Sequence, residues 1–118
     1  MNASTSQTGD LQNNSKMTSE QFLESLTGLS EQEKISELSS LFFTISEIAL
    51  FLDFNEEEFR RQVLFEKDSW MSKAYYKGIM RTTIKMRFDT RRFALAGSPQ
   101  AEEEMRQFLT RQKLEEDA

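Results

Sequence analysis

Residues 44–63 read TISEIALFLDFNEEEFRRQV, and they contain two complete helix starts eleven positions apart. Thr44 followed by Glu47 has the form of a capping box, in which a hydroxyl accepts from one orphan backbone N–H and a carboxylate reaches back to the cap's own N–H. Phe43 and Ile48 stand at the flanking staple positions. The pattern then recurs: Asn55 caps a second helix with Glu58 as its reciprocal partner, and Phe54 and Phe59 form the staple. Ile48, Leu52, Phe54 and Phe59 supply the apolar contacts that a two-helix unit needs, and Ala49 is small enough to let the second helix approach. One residue of the intervening turn needs positive φ. Asp53 stands in that turn and tolerates the conformation moderately well.

Moving outward, the same signals repeat. TSEQ, from Thr18, caps a short helix carrying Phe22, Leu23 and Leu26 and ending near Gly28. Ser30 with Glu33 opens the next, whose Ile35, Leu38, Leu41 and Phe42 recur at helical spacing. Downstream, Glu66 to Ser69 is a polar break, after which Ser69 caps a long helix running to about Ala96. Advancing 100° per residue puts Met71, Tyr75, Ile79, Thr82, Met86 and Phe93 on one stripe of that helix, expected to be core. Lys73, Lys77, Arg81, Lys85 and Arg92 fall on the opposite side. Gly97, Ser98 and Pro99 stop it and start a last helix, with Glu102 to Glu104 in its first turn, an apolar stripe of Met105, Phe108, Leu109 and Leu114, and Arg111 and Lys113 at its negative end. Residues 1–17 are rich in Ser, Thr, Asn and Gln and are expected to form a disordered tail. The expected organisation is all-α: a helical region over 18–68, a long basic helix plus a C-terminal helix over 69–114, and a frayed end at 115–118. No strand has convincing alternation.

At 118 residues the chain holds one domain, and one Pro with four Gly favours helix. It has no Cys and no His, which removes thiol and imidazole catalysis and the familiar zinc sites. The carboxylates lie in helix first turns and charged runs, where capping and solvation explain them. The expectation is a protein that is not an enzyme and uses no cofactor or metal. No apolar run approaches the length needed to cross a bilayer, and MNASTSQTGD lacks the features of an export signal, so the expected location is cytoplasmic. The net charge of −5 is strongly segregated: residues 1–58 carry −9, residues 59–93 carry +7 and residues 94–118 carry −3. A local basic field is what a polyanion meets, although charge clusters also mark solvated helix faces.

Two helix starts joined by a tight turn are the sequence form of a helix-turn-helix of the bacterial and phage type. The same residues also suit an ordinary αα-hairpin. With the segment AYYKGIMRTTIKMRFDTRRFALAGSPQA following, in which a Lys-Gly lies near the start of a helix and A-x-x-Gly-Ser-Pro precedes the last one, the order resembles the small terminase subunits of phages and prophages. The resemblance covers roughly Glu47 to Phe108. It implies a non-enzymatic DNA-recognition subunit that forms homo-oligomers and delivers double-stranded viral DNA to a separate large ATP-driven packaging subunit, in a bacterial or phage-infected cell.

On that reading the recognition helix begins at Glu56, and Asn55, Glu57, Arg60 and Arg61 are the side chains that face the bases, with an Arg bonding guanine bidentately. Lys73, Lys77, Arg81, Lys85, Arg87, Arg91 and Arg92, opposed only by Asp89, are the candidates for phosphate contact. The acids Glu56 to Glu58 suit the helix dipole but repel phosphate, and a helix with such a start also suits docking to protein. The alternatives are a helix-turn-helix transcriptional regulator and a helical protein–protein adaptor that does not bind DNA.

Overall fold

Every helix in the computed structural model, which describes residues 17–118, begins at a side-chain cap. The six are α1 (Ser19–Leu26), α2 (Glu31–Ser39), α3 (Ile45–Leu52), α4 (Glu56–Phe65), α5 (Trp70–Leu95) and α6 (Pro99–Asp117), with no strand among the described residues. Thr18, Ser30, Thr44, Asn55, Ser69 and Ser98 each accept a hydrogen bond from the backbone N–H three positions on. A cap of this kind contributes about 1 kcal/mol. The boxes are reciprocal at Thr18, Ser30 and Thr44. The box expected at Asn55 is only half formed: Asn55 Oδ1 accepts from Glu58 N at 2.9 Å, but the Glu58 carboxylate turns to Arg61. Residues 1–16, nearly all of the tail expected at 1–17, lie outside the described residues. At the other end α6 continues to Asp117 rather than stopping at 114, since no Gly or Pro interrupts it.

Three helix ends close in the same way. After α2, Phe43 N donates to Leu38 O and Phe42 N to Ser39 O; after α3, Phe54 N donates to Ala49 O; after α5, Ser98 N donates to Phe93 O and Gly97 N to Ala94 O. Each motif needs one residue in the left-handed region. Phe42 (φ 66°), Asp53 (φ 59°) and Gly97 (φ 100°) fill it.

Leu26, Ile35, Leu38, Ile45, Ile48, Ala49, Phe59, Val63 and Ala74 form a single buried cluster, drawn from α1 to α4 and the first half of α5. The contact between α5 and α2 is close because its residues are small. Ser36 Oγ donates to Ala74 O (2.8 Å), Thr82 Oγ1 donates to Ser40 O (2.6 Å), and Gly78 faces the backbone of Ser36. Ser72 Oγ donates to Val63 O (2.8 Å), so its hydroxyl is buried with a partner. The deepest residues of α5 are therefore Ser72, Ala74 and Gly78.

The apolar stripe expected along α5 is correct for only half its length. Met71, Tyr75, Ile79 and Thr82 are half-buried, whereas Met86 and Phe93 are exposed. At 1.5 Å per residue the 26-residue helix is about 39 Å long and outruns the bundle. Beyond Thr83 its partner is α6, with Arg87 over Phe108 and with Thr90 and Phe93 beside Ala101 and Glu104. The α5–α6 hairpin thus projects as an arm from a bundle of α1 to α4.

Candidate nucleic-acid interface

The α3–α4 unit is joined by Asp53, Phe54 and Asn55. With Asp53 left-handed, Phe54 swings inward and its ring lies 5.3 Å from that of Phe59. A polar clasp ties the two helices on the outside. Ser46 Oγ of α3 donates to the Glu56 carboxylate (2.8 Å) and accepts from the Arg60 guanidinium (2.8 Å), which also lies 3.3 Å from Glu56. The hydrogen bond from Ser46, and then that from Arg60, hold the Glu56 carboxyl below its ordinary range. Arg61 is held in the same manner between Glu58 and Glu66. Its hydrogen bonds lower the Glu58 pKa, and in return Glu58 raises that of the guanidinium.

Phe59 and Val63 face the core, so Glu57, Arg60, Arg61 and Leu64 make up the outer face of α4. The four side chains singled out as base-facing come together here, but most are occupied. Asn55 uses its carbonyl oxygen as the helix cap, and both arginines are engaged by carboxylates. Glu57 is exposed.

The seven phosphate candidates divide into groups rather than forming one row. Arg81 reaches α2 and pairs with Glu37 at 3.0 Å, and Arg92 pairs with Asp89 at 3.2 Å. The expectation that only Asp89 opposes this set is therefore corrected, because α2 crosses α5 at Arg81. Arg87 stacks over Phe108 (4.2 Å to the ring centre) and Arg91 over Phe88 (5.0 Å), both out on the arm with Lys85. Lys73 and Lys77 lie in the first turns of α5, on the side away from Tyr75. They line one shallow groove with Lys67, Ser72, Tyr76 and Met80, and no carboxylate among the described residues lies within ion-pair distance of the three lysines. On the packed side of the same helix, burial raises the Tyr75 pKa, and the charge of Arg60 opposes that shift.

Lys67 escaped the sequence reading. It belongs to the polar break between α4 and α5, where helical periodicity places nothing; the signal was its proximity in sequence to Lys73 and Lys77 across a loop of only a few residues. Among the described residues no group of three His, Cys, Asp or Glu side chains is arranged to hold a metal ion, and no helix is long and apolar enough to cross a membrane. Compared with known proteins, the chain matches no family model, no curated protein and no solved structure.

Proposed function

We propose that this protein binds double-stranded DNA without catalysing a reaction on it, through the α3–α4 helix-turn-helix and the lysine groove at the start of α5. The observation that carries the reading is the set of three unpaired lysines, Lys67, Lys73 and Lys77, grouped in one groove at the start of α5 while Arg60 and Arg61 of α4 are engaged by carboxylates. Phosphate contact needs mobile, unopposed cations, and these three meet that need.

Binding on this reading is led by phosphates and tolerant of sequence. Arg60 and Arg61 must exchange their carboxylates for a base edge before they read one, and the acidic start of α4 resists close approach to phosphate. Tolerance of sequence suits a small-terminase-like role in presenting DNA to a packaging motor better than it suits a transcriptional regulator. The adaptor reading keeps one observation of its own: an apolar cavity of about 370 Å³ between α1, α2 and α3, lined by Phe22, Leu23, Leu41, Phe43 and Phe51 among others. Such a pocket accepts an apolar side chain of a protein partner.

Gel shifts on several unrelated duplexes separate these readings. Wild-type protein is expected to shift them all with similar affinity, and Lys67→Glu, Lys73→Glu and Lys77→Glu together to abolish the shift. Discrimination of more than about tenfold between duplexes favours the regulator, each specific bidentate contact contributing about 1–3 kcal/mol. No shift on any duplex leaves the adaptor.

A further inference from the structure

We propose that two copies of the chain pair through their α5–α6 arms, with α5 of each copy lying against α6 of the other around a two-fold axis. This goes beyond the DNA reading and holds with or without DNA. The arm is the least finished part of the molecule. Every residue of α6 from Leu109 onward is exposed, although a helical stretch so short is only marginally stable in water without packing. On α5, Met80, Ile84 and Phe88 recur every four residues as a continuous ridge and remain 56%, 60% and 54% exposed. The ridge borders a groove of about 390 Å³ between the two helices, which runs on through Arg87 and Met105 into a second groove at Phe108 and Leu109. Four-residue ridges are the surface that helices interdigitate when they pack.

Charge selects the occupant. Residues 85–95 of α5 carry a net +3, and residues 99–117 of α6 carry a net −3. Yet no ion pair joins α5 to α6 within the chain among the described residues: Arg92 pairs with Asp89 on α5, and Arg106 with Glu103 on α6. The opposite charges are thus available to a second copy, whereas α5 against α5 would bring like charges together. The exposed apolar area makes up more than half of what such an interface needs. Met80, Ile84, Phe88, Leu109 and Leu114, at about 100 Å² each, offer roughly 500 Å² per copy. The stems of Lys85, Arg87 and Arg91 extend this toward the roughly 800 Å² per partner of a stable interface.

The test uses the full chain without DNA. Sedimentation over a wide concentration range is expected to give twice the chain mass. Ile84→Glu with Leu109→Glu is expected to raise the dissociation constant by at least about tenfold while leaving helical circular dichroism intact, since both side chains are largely exposed. The chain contains no Cys, so arrangement is read by mixing Ile84→Cys copies with Leu109→Cys copies and adding a short bifunctional thiol reagent. Linkage of Ile84→Cys to Leu109→Cys supports the pairing. Monomer at all concentrations, a mass other than twice the chain's, a dimer indifferent to the Glu variants, or preferential linkage of Ile84→Cys copies to one another would overturn it.

Discussion

Gly78 is the residue whose smallness the packing of α5 on α2 requires. A methyl group there would overlap Ser39 Oγ and the carbonyl oxygen of Ser36, and the latter is backbone that cannot turn aside. Gly78→Ala gains about 1 kcal/mol of helix propensity, but overpacking of this kind costs typically 1–3 kcal/mol. The melting temperature is expected to fall, and a rise would show that the two helices stand farther apart. The left-handed helix ends give a second prediction. Asp53 at φ 59° is exposed and has no tertiary role beyond the turn, so Asp53→Gly is expected to keep or raise stability, by up to about 1 kcal/mol. Asp53→Val, β-branched at positive φ, is expected to lower it by about 1–2 kcal/mol. Denaturant midpoints of the pair check the sign. Phe42, left-handed and half exposed, fills a place where Gly is usual, and nothing in its apolar periodicity signals it.

At the scale of the element, capping chemistry made the helices legible. All six N-caps correspond to a Ser, Thr or Asn that the sequence marks, because a cap and its partner lie three residues apart and depend on nothing distant. The junction of α3 and α4 follows from the same local logic. Ala49 is only 1% exposed there, so Ala49→Leu is expected to destabilise the unit by roughly 1–3 kcal/mol, measured by thermal melting. What was not legible was the competition at the start of α4, where Glu58 chose Arg61 over its own cap, and the loss of packing along α5, where Met86 and Phe93 keep the right spacing but stay more than half exposed. Spacing states which face a residue occupies. It does not state where the adjoining element ends.

The helix-start carboxylates also contribute to the acid sensitivity of the fold. Glu33, Glu56 and Glu58 are all held below the ordinary carboxylate value of 4.5 by hydrogen bonds made in the folded chain. Their contribution is therefore fully present above that value and is lost as pH falls through the lowered ones. Stability measured by denaturant titration is expected to be flat from neutral pH down to about 5 and then to decline. Ser46→Ala, which removes the hydrogen bond that most lowers Glu56, is expected to make that decline shallower.

Across the whole molecule, charge segregation was visible in the sequence, but the distribution of pairs was not. Arg81 and Glu37 are 44 residues apart and meet only because α5 crosses α2. The crossing divides a basic run that reads as continuous into a proximal lysine groove at the start of α5, paired arginines at Arg81 and Arg92, and a cationic arm. The lysine groove and the proposed pairing ridge adjoin at Met80, which lines both, and their far ends, Lys73 and Phe88, are fifteen residues, or about 22 Å, apart along α5. The most direct test of the central proposal is the affinity of the wild-type chain for a labelled DNA duplex as a function of salt, followed by fluorescence anisotropy. With Lys67, Lys73 and Lys77 on phosphates, log affinity is expected to fall linearly with log salt, with a slope near −3 per chain, and to lose most of that slope in the triple Glu variant. An absence of binding at low ionic strength, or binding indifferent to salt, would contradict the account.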